Sequence, residues 1–199
     1  MKIIGLCGGS GSGKGTVCDI FRTLGVPSVD TDAVYHQLTS GPSDCLEALK
    51  NEFGDGIVSE SGSLNRRALA AIVFSEDGNG ERLNMLNTIA HKFILSETRK
   101  RLESFASEGF EYAIVDAPLL FESGFDKECN IIIGVIADFE TRIERIMLRD
   151  GISREAASNR IAAQITDEEL IKRCDFIISN DSDIDSLDKK VTEVLNKIR

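Results

Sequence analysis

The sequence predicts an α/β protein: a five-stranded parallel sheet with helices on both faces, interrupted by a helical insertion. Three observations carry this. Five short runs are apolar almost throughout, as strands covered on both faces must be. Helical patterns alternate with these runs, which calls for parallel strands joined by right-handed crossovers. One connection, however, is far longer than a crossover needs.

The strands are expected at Ile3–Cys7, Pro27–Val29, Tyr112–Val115, Ile131–Ile136 and Phe176–Ile178. Helical periodicity covers 13–24, a long stretch over 64–105, then 139–149, 153–163 and 184–198. Between the second and third strands lie about eighty residues, several times the length of an ordinary connection. That segment is helix-rich, with turn signals at Gly41-Pro42, Gly54-Asp55-Gly56 and Gly78-Asn79-Gly80. It reads as a helical subdomain inserted into the sheet.

Composition narrows the class. The 199 residues are 42% hydrophobic and 28% charged, enough for a packed core. The formal net charge is −10. That argues against a protein that coats nucleic acid or an anionic membrane, since both need a basic face. The chain has no Trp and two Tyr, so it also lacks a stacking platform for bases. Acidic residues gather in 31–60, 102–137 and 161–188. The five cysteines are widely spaced without a C-x-x-C, which fits a reducing compartment rather than a disulfide framework or a zinc site. The N-terminal apolar run breaks at Gly8-Gly9, too early for a signal peptide. The longest apolar run, Ile131–Ala137, falls far short of the ~20 residues that span a bilayer. A cytoplasmic setting is expected.

Gly8-Gly9-Ser10-Gly11-Ser12-Gly13-Lys14 follows the first strand and opens the first helix. This is G-x-x-x-x-G-K in its required strand–loop–helix context. Glycines let successive backbone N–H groups turn inward around phosphates. The helix N-terminus favours an anion, and Lys14 reaches the outer phosphates as a point charge. Gly11, Ser12, Gly13, Lys14, Gly15 and Thr16 are therefore candidate ATP-binding positions. Position 15 usually carries a Mg²⁺-ligating hydroxyl. Here it is Gly15, with Thr16 next, and Gly-Lys-Gly-Thr is also similar to the loop of adenylate kinases.

Asp30 and Asp32 follow the second strand, where ligands of open parallel sheets sit. Either can cap a helix starting near Ala33, or act as base or metal ligand toward a substrate hydroxyl. Asp116 ends the third strand, the expected place of a Mg²⁺ partner in a phosphate-loop enzyme. Arg142, Arg145 and Arg149 fall within about 60° of one another on one helix face. Phe139, Ile143, Ile146 and Met147 are expected to line the other side. Such a face either pairs with Glu140 and Glu144 or closes over phosphates, which a guanidinium fork binds bidentately.

The phosphate loop, Asp30-Thr31-Asp32, Phe53-Gly54, Gly62–Arg66, Ile89-Ala90-His91, Pro118–Glu122 and the Arg145/Arg149 pair occur in that order. Together they resemble the dephospho-CoA kinase family, over Ile3 to about Leu195. The resemblance implies a phosphate-loop kinase core formed by 1–35 with 106–137 and 164–199, a substrate-binding insertion over about 36–105, and a helical lid over about 138–163. It implies transfer of the γ-phosphoryl of ATP to the ribose 3′-hydroxyl of dephospho-CoA, with Mg²⁺ accompanying ATP. By the same resemblance Asp32 is the base, Lys14 and Arg145 serve the transferring phosphoryl, and Arg145, Arg149 and Asn180 contact ATP. Asp32, Phe53, Arg66, His91, Pro118 and Leu119 match substrate-binding positions, and Arg142 stays structural. No nucleic acid, membrane or obligate protein partner is implied. The chain departs from the family pattern at Gly15, at Lys92 after His91, at Thr141 and at Tyr35-His36.

Overall fold

A computed structural model describes residues 1–75 and 80–199. Two compact units emerge: Met1–Val29 with Phe105–Arg199, and Asp30–Ser104. Among the described residues no helix is long and apolar enough to cross a membrane.

In the first unit, β1 (Lys2–Gly8) leads through a tight loop into α1 (Lys14–Thr23) and β2 (Ser28–Asp30). After the second unit come β3 (Tyr112–Asp116), β4 (Ile131–Ile136), α6 (Phe139–Asp150), α7 (Arg154–Ala162), α8 (Asp167–Arg173), β5 (Phe176–Ser179) and α9 (Ile184–Ile198). The sheet order is β2-β3-β1-β4-β5. β1 pairs in parallel with both β3 and β4, with Leu6 opposite Asp116 and Gly8 opposite Val135. Chain connections thus leave β1 toward β2 on one side and reach β4 on the other. That reversal places the topological switch point at the carboxyl ends of β1 and β3, the expected ligand crevice of an open α/β sheet.

The five predicted strands all form: β4 as expected, β2 shifted one residue later, and β1, β3 and β5 longer by one or two residues. Their apolar runs are explained by burial. Ile4, Leu6, Ile114, Ile133 and Val135 face α1 and α9, packing on Val17, Phe21, Val191 and Leu195. Full burial of each such aliphatic side chain contributes about 1.5–3 kcal/mol. On the other face a Cβ at Gly5 would lie 2.8 Å from both Leu120 and Cys129, so glycine there lets the 120–129 segment sit flat on the sheet. Gly134, opposite Cys7 in register, does the same for Cys174 at the end of α8. The Sγ atoms of Cys7 and Cys174 are 3.7 Å apart.

The second unit holds α2 (Thr31–Thr39), α3 (Asp44–Phe53), α4 (Arg66–Val73) and α5 (Glu81–Ser107), whose last residues fall in the first unit. Leu46, Leu49, Ile57, Leu64, Leu69 and Val73 form its core. Its helix starts are fixed by side-chain caps: Asp30 for α2, Ser43 for α3 and Asn65 for α4. The single helical stretch expected over 64–105 is two helices, because Ala70–Phe74 closes α4 before α5 begins at Glu81. Of the turn predicted at Gly78-Asn79-Gly80, the first two residues lie outside the described residues. Helix α2 starts at Thr31, two residues before the position expected, since Asp30 caps it directly from the strand end.

Candidate active site

The loop between β1 and α1 is shaped by two left-handed glycines, Gly11 (φ 79°) and Gly13 (φ 86°). The amide of Ser12 donates to the Gly9 carbonyl at 3.1 Å, closing a turn. Gly13 is the N-cap of α1 and offers no side-chain acceptor, and the first turn carries no acidic residue. The first amides of α1 are therefore left for an external acceptor, and the helix dipole favours an anion there. Gly15 and Thr16 are exposed in that same turn.

Lys14 pairs with Asp116, whose carboxylate stands at the end of β3 opposite Leu6. Their side chains are only 16% and 8% exposed, so this is a largely desolvated pair at the switch point. Breaking such a pair by deleting one partner costs about 3–5 kcal/mol, because the other charge stays buried.

Helix α6 and the end of β5 close round the loop. Arg145 donates to the Gly11 carbonyl at 3.2 Å and to the Asn180 carbonyl at 3.1 Å. Buried Asn180 donates from Nδ2 to the Ser12 carbonyl at 2.8 Å, and its own amide bonds to Ile136 at 2.9 Å. Ile143 and Ile146 are buried against Ala157 of α7. Phe139 and Met147, expected beside them, are exposed instead. Arg149 takes a different partner: its guanidinium forks onto Asp150 at 2.7 and 2.9 Å. Arg149 first, and Arg160 as well, hold the Asp150 carboxyl down at about 2.

The structure thus brings together Gly11, Ser12, Gly13, Lys14, Asp116, Arg145 and Asn180. In the second unit, Asp30 accepts from the amides of Asp32 and Ala33 at 2.9 and 3.0 Å, so the cap belongs to Asp30. Asp32 stands exposed in the first turn of α2. Arg66 lies 5.5 Å over the Tyr35 ring and donates to Thr39 at 3.4 Å. Phe53 packs half-buried against the unit's core, and His91 lies half-buried on α5. Pro118 and Leu119 are exposed in the turn that follows β3.

Cys7 and Cys129 are not placed to act as nucleophiles. The hydrogen bond with Cys174, and then burial, push the Cys7 thiol far above its ordinary range, and burial pushes Cys129 up to about 12.

A family profile described as "Dephospho-CoA kinase" matches residues 2–186. The chain belongs to the dephospho-CoA kinase family. It is 39% identical to a dephospho-CoA kinase of Symbiobacterium thermophilum over 93% of this chain and 76% of that one. Among solved structures it resembles TT1252 from Thermus thermophilus, with a TM-score of 0.81 and 33% identity over 100% and 98% of the two chains. It also resembles a dephospho-CoA kinase from Campylobacter jejuni, with a TM-score of 0.72 and 28% identity over 100% and 98%. The dephospho-CoA kinase family is one of ATP-dependent kinases in coenzyme A biosynthesis, and this chain is such a kinase by membership.

One contributor to this site has no signature in the sequence. Gln164 reaches Ser10 of the phosphate loop from 154 residues away. A lone Gln after a helical stretch carries no motif. The Lys14–Asp116 pair was half legible, since both positions stood out but not their contact.

Proposed function

We propose that this chain moves the γ-phosphoryl of ATP onto the ribose 3′-hydroxyl of dephospho-CoA, giving coenzyme A and ADP. The observation that carries the reading is the phosphate loop, with Lys14 set on Asp116 at the switch point, in a chain that matches the family over residues 2–186.

In this reading the amides of Gly11 and of residues 13–16 at the start of α1 hold the β- and γ-phosphates. Lys14 neutralises the outer oxygens, and Asn180 borders the adenine. The insertion over about 36–105 receives dephospho-CoA, with Phe53, Arg66 and His91 as contacts, joined by Pro118 and Leu119. Asp32 accepts the proton of the 3′-hydroxyl as its oxygen attacks the γ-phosphorus, and the bond to the ADP oxygen breaks. Arg145 turns from the loop carbonyls to the charge on the transferring group, and Arg149 joins it. The segment over about 138–163 acts as the lid that keeps water from the γ-phosphoryl.

Mg²⁺ is the expected companion of ATP. Among the described residues no group of three or more His, Cys, Asp or Glu could hold a metal by itself. One carboxylate with phosphate oxygens and water is, however, an ordinary Mg²⁺ set. Asp116 meets that need, and the Thr16 hydroxyl is one position from the missing one at Gly15. Bound there, Mg²⁺ would neutralise charge on the β- and γ-oxygens. Asp116→Asn keeps an oxygen for Lys14 but lowers the negative charge. It is expected to raise the Mg²⁺ concentration needed for half-maximal rate. An unchanged Mg²⁺ dependence would remove Asp116 from the metal.

The test of the function is product analysis with ATP and three acceptors: dephospho-CoA, AMP and CMP. A 3′-phosphate on dephospho-CoA alone is expected. Phosphorylation of AMP or CMP instead would favour a nucleoside monophosphate kinase, as Gly-Lys-Gly-Thr alone allows. ATP consumption with no phosphorylated acceptor would indicate a nucleotide switch.

A further inference from the structure

All three polar groups of Ser10, at the outer edge of the phosphate loop, are bonded to side chains from the far end of the chain. Its amide donates to Gln164 Oε1 at 2.8 Å. Its hydroxyl accepts from Gln164 Nε2 at 3.1 Å. Its carbonyl accepts from Arg142 Nε at 3.0 Å. The same guanidinium reaches Gln164 Oε1 at 3.4 Å and Asp167 at 3.3 Å. Arg142 is only 5% exposed.

The loop is cut to admit this clamp. A Cβ at Gly9 would lie 3.0 Å from Arg142 Cζ and 3.2 Å from Gln164 Oε1. A Cβ at Gly11 would lie 2.6 Å from the Arg142 carbonyl. Gly9 and Gly11 therefore serve two demands, the curvature around the ligand and the close approach of the clamp from behind.

We infer that Gln164 is a positioning residue for ATP binding: with Arg142 it grips Ser10 and holds the phosphate loop in its receiving shape before the nucleotide arrives. The inference rests on the nucleotide-binding reading of the loop given above. The physical need is clear. A segment with glycine at 8, 9, 11 and 13 has the most backbone freedom to lose on ordering. If that ordering occurred on binding, it would subtract from affinity, and a loop fixed beforehand avoids the loss. A carboxamide suits the task because it accepts from the Ser10 amide and donates to the Ser10 hydroxyl at once. Since Gln164 occupies the Ser10 amide and the Gly9 carbonyl the Ser12 amide, the loop amides left for phosphate are those of Gly11 and of Gly13 onward. Gln164 comes two residues after α7, its amide bonded to the Ile161 carbonyl at 3.1 Å, so the end of the segment over 138–163 and the loop are held together.

The experiment is calorimetric titration of the full chain with ATP and, separately, with dephospho-CoA, for wild type, Gln164→Leu and Gln164→Glu. Leu fills similar space but strands the Ser10 amide. Glu still accepts from that amide and from Arg142, and the Ser10 hydroxyl can rotate to donate to it. Gln164→Leu is expected to weaken ATP binding about tenfold, the scale of one or two lost hydrogen bonds. Dephospho-CoA affinity should stay unchanged, and Gln164→Glu should recover most of the loss. Wild-type ATP affinity in Gln164→Leu would overturn the inference. So would equal weakening of both substrates, or a Gln164→Glu protein as weak as Gln164→Leu. A wild-type chain that binds no ATP would overturn the nucleotide reading itself, an outcome distinct from the other three.

Discussion

Asp32→Asn is expected to lower kcat about 10²- to 10⁴-fold, the usual contribution of a positioned general base. ATP affinity should be nearly unchanged. The substitution spares the helix cap. The side chain that caps α2 is Asp30, which accepts from the amides of Asp32 and Ala33. Asn at 32 leaves that cap intact and removes a first-turn negative charge, worth about 0.3–1 kcal/mol to the helix. Stopped assays for the 3′-phosphate, with ATP affinity measured in parallel, check the prediction. Turnover near wild type would take Asp32 out of the chemistry and leave it as a helix-end carboxylate.

Arg145→Ala is expected to lower kcat about 10³-fold, the lower range for arginines that neutralise a transferring phosphoryl. Arg145→Lys should recover little, because a point charge cannot reproduce the guanidinium fork. Arg145 also ties Gly11 to Asn180 through their carbonyls, so a purely architectural role makes a different prediction. In that case ATP affinity would fall and kcat, measured at saturating ATP, would stay. The split between kcat and ATP KM therefore decides between the two roles. A loss confined to KM would sink the catalytic assignment.

The sheet was legible in the sequence because fully buried parallel strands leave continuous apolar runs, and Ile131–Ile136 is the plainest of them. The phosphate loop was legible because its glycines, its Lys and its strand–loop–helix setting are all local. Helix α8 was not anticipated, although Thr166 followed by Asp167, Glu168 and Glu169 is a good helix start. It is seven residues long, too short for periodicity to declare itself. The choice between Asp30 and Asp32 as cap was open in the sequence, since one residue of helix register decides it. Arg142 was read as structural, and it is buried, but its grip on Ser10 depends on packing between segments 132 residues apart. Contacts of that kind leave no trace in spacing. The same holds for Arg66 over Tyr35: both residues were marked, and only the folded insertion stacks them.

The sheet order has a consequence for how the chain comes to be folded. β1 is the central strand, yet both of its partners lie beyond residue 111. On a ribosome it is made first but has no partner until β3 is translated. For more than half of synthesis its apolar residues have no sheet to join, and closing so long a loop before any pairing is gained makes this a slow step. Asp30–Ser104, by contrast, is one continuous segment with its own core, so its contacts need nothing that has yet to be translated. The insertion can therefore assemble while β1 still waits for β3 and β4.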